Sequence, residues 1–275
     1  MVEVVFQRAD DLSKSLLHLL KMENIIEVKN PDVVVLQETN KGDKKTFPIL
    51  QQRLSGFVGK EIGTQAIFIR NNNLFVQDPV KHDLFSGKSY LRSVVAVRSI
   101  PYVIYQTHLT RPPQVDELTA CQSQSESRDF GKTLDEAAEL NNALSGENSN
   151  SLLIVAGDFN LPPDEINSVL SLSDTNLVEA STFPTNTYCD SRPKYGLFDE
   201  EEIIDYVLVS GPLQGSASPL YEGDVQSASD HFPLIAKLDF TGLENPYAEE
   251  RKASPEPRSS GGSVSYTPEF TPSYK

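Results

Sequence analysis

The chain has 275 residues, with 24 Lys and Arg against 39 Asp and Glu, a formal charge of −15. That balance opposes bulk attraction to nucleic-acid phosphates, although a divalent cation can offset charge locally. Two Cys, Cys121 and Cys189, exclude a disulfide framework, and no apolar run reaches the roughly 18 residues of a membrane span. With no charged-then-apolar leader at the N-terminus, the expectation is an intracellular, cytoplasmic protein, monomeric and without a transmembrane segment.

Residues 2–6 read as a short strand or a leftover. Leu12, Leu16, Leu19, Leu20 and Ile26 recur at helical spacing over 10–27, and Asp10 or Asp11 suits an N-cap. Asn30-Pro31-Asp32 is a turn. Val33-Val34-Val35-Leu36 then reads as a strand buried on both faces, and it runs directly into Gln37-Glu38. A short helix over 47–54 and strands over 64–69, 74–77, 91–97 and 102–106 follow, the last ending at Thr107-His108. Residues 111–132 form a polar loop, long enough to carry function. A helix over 134–144, a second buried strand over 152–156, a helix opened by Pro162-Pro163-Asp164 and running through Leu172, and strands over 203–209 and 235–240 complete the pattern. A domain over 1–243 is expected, followed by a disordered Ser-, Pro- and Tyr-rich tail over 244–275.

Polar clusters sit at or beside the ends of these strands: Gln37-Glu38, Thr107-His108, Gly157-Asp158-Phe159-Asn160, Asp205 and Ser229-Asp230-His231. Brought to one sheet edge, they supply Glu38, Asp158, Asp205 and Asp230 as carboxylates, Asn160 as an amide, and His108 and His231 as imidazoles. Carboxylates with amide and water suit a hard cation such as Mg²⁺, with Mn²⁺ as a substitute, whereas the short His/Cys spacing of zinc sites is absent. Such a cation completes its shell with phosphate oxygens, so the implied reaction is hydrolysis at phosphorus. One imidazole, oriented by a carboxylate, would deprotonate water, and the other would polarise the phosphate or protonate the leaving oxygen. No nucleophile elbow, P-loop or dinucleotide fingerprint occurs.

Five motifs in order over residues 31–240 resemble the endonuclease/exonuclease/phosphatase superfamily, the DNase-I-like fold: Leu36-Gln37-Glu38, Thr107-His108-Leu109, Gly157-Asp158-Phe159-Asn160, Ile204-Asp205-Tyr206 and Ser229-Asp230-His231. The resemblance implies a four-layered α/β sandwich, two packed mixed sheets flanked by helices. It implies Glu38 as the Mg²⁺ ligand with Asp230 or Asp158 assisting, and Asp158 and Asn160 positioning water and phosphate. It implies His231 as general base paired with Asp205, and His108 on the phosphate.

Arg8-Ala9-Asp10, Phe85-Ser86-Gly87-Lys88 and Ala138-Glu139-Leu140 look like neutral sphingomyelinases, which favours a phospholipid headgroup as substrate. A DNase-I-like or deadenylase-like nuclease is the alternative; it needs a basic rim, for which Lys88 and Arg92, with Lys81 and Arg111, are the substrate-binding candidates. An inactive scaffold member is a third reading. Family members begin with a strand ending in an Asn that completes the site. No Asn precedes the first helix here, so the first strand is expected to be missing and activity to be reduced or lost.

Overall fold

The computed structural model describes residues 2–8, 16–39, 46–111, 131–148, 151–170, 177–179, 188–189, 201–202, 204–210, 213–220, 231 and 233–239. Among them are two six-stranded mixed sheets. The first runs β13 (Gln214–Pro219), β14 (Leu234–Asp239), β1 (Val2–Arg8), β2 (Val33–Gln37), β4 (Gln65–Arg70), β3 (Phe57–Ile62). The second runs β5 (Leu74–Asp83), β6 (Ser89–Val97), β7 (Ile100–His108), β8 (Leu153–Asp158), β12 (Asp205–Ser210), β9 (Leu177–Glu179). A separate ribbon pairs β10 (Tyr188–Cys189) with β11 (Glu201–Glu202). Each large sheet has one parallel pair at its centre, β1 with β2 and β7 with β8; the other pairings are antiparallel.

Strand alternation makes the layers. One face of the first sheet gives Val5, Val34, Leu36 and Phe68 to a cluster with Met22 and Ile26 of α1 (Leu16–Lys29) and Leu50 of α2 (Thr46–Arg53). One face of the second gives Val103, Tyr105, Val155 and Tyr206 to a cluster with Leu140 and Leu144 of α3 (Gly131–Ser145) and Ile166 of α4 (Pro163–Val169). The residues of opposite parity, among them Val33, Val35, Ile104, Ile154 and Val207, are as deeply buried. They fill the space between the sheets, so both central strand pairs are apolar on both faces, as their sequences predict. The result is the expected four-layered sandwich.

One expectation is overturned. The first strand is not missing: β1 pairs with both β14 and β2 in the interior of its sheet, with Val4 and Val5 fully buried. A seven-residue strand without clear alternation gives little signal by itself, and its stability comes from the two neighbours that the chain supplies later. The strand does lack an Asn. Further differences are additions: β3, β9, β10, β11 and β13 have no counterpart in the sequence reading, and β5 runs on to Asp83 through two register shifts, the second across Pro79. Pro79 survives because β5 is an edge strand. At the C-terminal end of α1, Asn30 adopts φ +49° and donates its N–H to the Ile26 carbonyl, a left-handed stop ahead of Pro31. The stretch 1–242 forms one unit, and the expected tail falls outside the described residues, as does Cys121.

Gly157 lies where the layers come closest. A Cβ there would fall 2.0 Å from the Thr107 carbonyl oxygen and 3.0 Å from Nε2 of Gln37. Gly157→Ala is therefore expected to destabilise the fold by about 1–3 kcal/mol through overpacking, read as a lower urea midpoint by circular dichroism; an unchanged midpoint would contradict this packing.

Candidate active site

Every parallel pair in these sheets points its carboxyl ends at one edge, the edge where open α/β sheets take ligands. Glu38 follows the last residue of β2, His108 ends β7, and Asp158 ends β8. Asp205 opens β12 directly opposite Asp158 in the antiparallel ladder. His231 precedes β14, whose start lies beside the end of β1. Residues separated by up to 193 positions thus meet because five strand ends share one rim.

The side chains form a row in which acids and imidazoles alternate. Glu38 Oε1 lies 3.9 Å from His108 Nδ1, and His108 Nε2 lies 3.7 Å from Asp158 Oδ2. Asp158 Oδ2 lies 3.9 Å from His231 Nε2, and His231 Nδ1 shares a 2.6 Å hydrogen bond with Asp205 Oδ2. Asp158, Asp205 and His231 are almost wholly excluded from solvent, while His108 is partly open. Eight predicted site residues fall among the described ones, and the structure brings five of them into this row.

Asn160 adjoins the row but its amide is committed to the frame. Its Nδ2 donates to the Leu109 carbonyl at 3.0 Å, and its backbone N–H donates to Asp158 Oδ1 at 3.0 Å. It therefore holds the loop after His108 and the Asp158 carboxylate together. Two of these residues have left-handed backbones, Glu38 at φ +56° and Asn160 at φ +52°. Asn tolerates that region; for Glu it costs about 1–2 kcal/mol, which the surrounding bonds must hold in place. Glu38 is 9 % exposed, so the bend turns it off the buried strand towards the rim.

Arg92 is not brought to the site. It pairs with Tyr105, and that face of the sheet is covered by α3. Its guanidinium grips Glu147 twice, Nε to Oε1 at 2.5 Å and Nη2 to Oε2 at 3.1 Å, and the Tyr105 hydroxyl donates to the same carboxylate at 2.6 Å. The sequence held no sign of this because strand parity, not chain position, chose the face. Lys88 lies in the turn between β5 and β6, closed by Leu84–Lys88 pairing and by Gly87 at φ +87°, at the same edge as His108. Asp230 lies outside the described residues.

The frame beneath the row was not foreseen. Gln37 Nε2 donates to the Thr107 carbonyl of the opposite sheet, and Gln106 Nε2 donates back to the Leu36 carbonyl. Glu136 of α3, fully buried, accepts from the backbone N–H and the hydroxyl of Thr110. A Gln inside a buried run is the signal that could have revealed the clasp, because a buried amide requires partners.

The donor chemistry fits a hard divalent cation. Glu38, Asp158 and Asp205 are three buried carboxylates facing two imidazoles, an excess of negative charge even with both imidazoles protonated. Asp158, Asp205 and His231 also offer ligand atoms within 4.8 Å of one another. The 2.6 Å bond between His231 and Asp205 already commits those two atoms to each other, whereas Glu38 and Asp158 lie on either side of His108 along the row.

The family model described as "Endonuclease/Exonuclease/phosphatase family" matches residues 8–231. No curated protein matches the sequence. Among solved structures, D. rerio TDP2 complexed with a single-strand DNA product superposes with a TM-score of 0.67 at 14% identity, covering 86% of this chain and 98% of that one. The Bacteroides thetaiotaomicron mannosyl-6-phosphatase gives 0.64 at 15% identity, covering 87% and 100%. The human Nocturnin catalytic domain with bound sulfate gives 0.61 at 19% identity, covering 87% and 93%. At these identities the likeness establishes the fold. Among the described residues, no helix is long and apolar enough to cross a membrane.

The Arg92 cluster makes a prediction about pH. Burial pushes the Glu147 carboxyl upward, but the hydrogen bonds from Arg92 and Tyr105 outweigh it and hold the group below its ordinary value. A depressed folded value gives stability that is complete above the unfolded value and is lost as pH falls through the folded one. The stability advantage of the native chain over Glu147→Gln is therefore expected to be full at neutral pH and to fade below about pH 4.3. Urea midpoints of the two proteins across that range measure it.

Proposed function

Because the chain belongs to the endonuclease/exonuclease/phosphatase family, we propose that it is a divalent-metal-dependent hydrolase of phosphoesters, with Mg²⁺ or Mn²⁺ as the natural cation. The observation that carries the reading is the row Glu38–His108–Asp158–His231–Asp205 at the shared rim. A bound cation would supply charge stabilisation on the phosphoryl oxygens and leaving group. Glu38 would hold it, with Asp158 and Asp230 as supporting carboxylates.

The remaining work falls to the chain's own side chains. Asp205 Oδ2, accepting from His231 Nδ1, fixes the imidazole tautomer and leaves Nε2 as the basic nitrogen. Nε2 faces Asp158 Oδ2 at 3.9 Å, a gap suited to a water hydrogen-bonded to both. His231 takes the proton of that water as it attacks phosphorus, and Asp205 stabilises the imidazolium that forms. His108, between Glu38 and Asp158, donates to a phosphoryl or leaving oxygen from the open side of the row. Asn160 keeps Asp158 and the His108 loop in register, and Lys88 lies on the rim where a phosphate would arrive.

For the ester itself, we rank a nucleic-acid or nucleotide substrate ahead of the phosphocholine lipid favoured by the sequence motifs, because the D. rerio neighbour was solved with a single-strand DNA product. The site lacks an Asn at the end of β1. Arg8 holds that position and pairs with Gln37, next to Glu38.

Hydrolysis of bis(p-nitrophenyl) phosphate with Mg²⁺ or Mn²⁺ is expected, abolished by EDTA and restored by added metal. Asp205→Asn should lower kcat by about 10²-fold or more through loss of the His231 tautomer. Turnover that ignores both EDTA and Asp205→Asn would refute the reading.

A further inference from the structure

We propose that Glu136 of α3 is a positioning residue for His108, acting through the two residues that follow it. The inference rests on the proposed reading, in which His108 contacts the phosphoester. The structure concentrates hydrogen bonds on that short segment. The Leu109 N–H donates to the Asp158 carbonyl at 3.0 Å, and the Leu109 carbonyl accepts from Asn160 Nδ2 at 3.0 Å. The Thr110 N–H donates to Glu136 Oε2 at 2.6 Å, and the Thr110 hydroxyl donates to Glu136 Oε1 at 2.5 Å. The Thr110 carbonyl accepts from the Thr133 hydroxyl at 2.8 Å. Every backbone polar group of Leu109 and Thr110 is therefore engaged, although both lie beyond the end of β7.

Glu136 is the anchor of this arrangement. It is 0 % exposed, on the face of α3 that carries Ala137 and Leu140 into the core. A carboxylate in that setting is costly unless its oxygens are hydrogen-bonded, and both are occupied by one residue, Thr110. Three residues further along the helix, Glu139 Oε2 accepts the Phe85 N–H at 3.1 Å and so braces the β5–β6 turn that carries Lys88. One helix thus sets two pieces of the rim. Without Glu136 the His108 ring would keep its strand but lose the fixed exit that sets its 3.7 Å approach to Asp158. Small misplacements of such groups reduce turnover steeply while leaving binding nearly intact.

The experiment uses the full chain and bis(p-nitrophenyl) phosphate. Glu136→Leu is expected to lower kcat about tenfold with KM changed less than about twofold. Glu136→Gln, whose amide can accept from the Thr110 N–H and serve as donor to its hydroxyl oxygen, should recover to within about threefold of the native chain. In a His108→Ala background Glu136→Leu should cost nothing more, because the two changes act on one step. Equal losses with and without His108 would overturn the proposal. If the native chain proves inactive, the proposed reading fails but this inference is still testable by NMR. Glu136→Leu should then shift the His108 ring resonances and leave those of His82 unmoved. Thr110→Val, which deletes only the hydroxyl bond, repeats that measurement if Glu136→Leu does not fold. An unmoved His108 ring in a folded variant would overturn it.

Discussion

The molecule depends on a reciprocal pair of amide bonds between its two sheets. Gln37 reaches across to the Thr107 carbonyl and Gln106 reaches back to the Leu36 carbonyl, both from fully or almost fully buried positions. Apolar packing between sheets is non-directional and tolerates sliding. Two crossed hydrogen bonds in a dry interior do not, because any slip strands buried amides at a cost of about 1–3 kcal/mol each. The clasp lies one residue before Glu38 and two before His108. It therefore sets the separation of two site residues that belong to different sheets, and Gly157 is the concession that lets the sheets approach closely enough to form it.

The site inherits its rigidity from this frame. Glu38 bends through a left-handed backbone immediately after the clasp, and Asn160 does the same after Asp158. The first bend turns Glu38 from its strand end towards the rim, and the second lets the Asn160 amide tie Asp158 to the loop after His108. Around them, Asp158 and Asp205 share a ladder position, so that the carboxylate between the imidazoles and the one that orients His231 are fixed relative to each other by backbone pairing. The acids and imidazoles alternate, and each buried charge has a neighbour of the opposite kind. A site built this way holds its geometry before a ligand arrives, which is what proton transfer and phosphoryl stabilisation require.

Much of this was legible from residues alone. The apolar runs Val33–Leu36 and Leu152–Ala156 announce strands buried on both faces, and the polar residues after them announce a functional edge. Five short motifs in order carried the family and the sandwich. Less legible were elements whose stability is borrowed. β1 looked dispensable because its seven residues show no strong pattern, yet it is central once β2 and β14 flank it. Arg92 looked like a rim cation because it lies sixteen residues before His108, and strand parity placed it under α3 against Glu147.

Residue types and their spacing established which residues could do chemistry and that strands would end in them. Side-chain type and the two-residue period are local properties, and both are written in the chain. Which of those residues meet, which face each one takes and what holds them there came from the packing of the sheets and helices. Contacts such as Gln37 with Thr107, Thr110 with Glu136 and Asp205 with His231 join positions 70, 26 and 26 residues apart. Their existence follows from how two sheets and a helix settle against one another, a choice made by packing and by the need to satisfy every buried polar group.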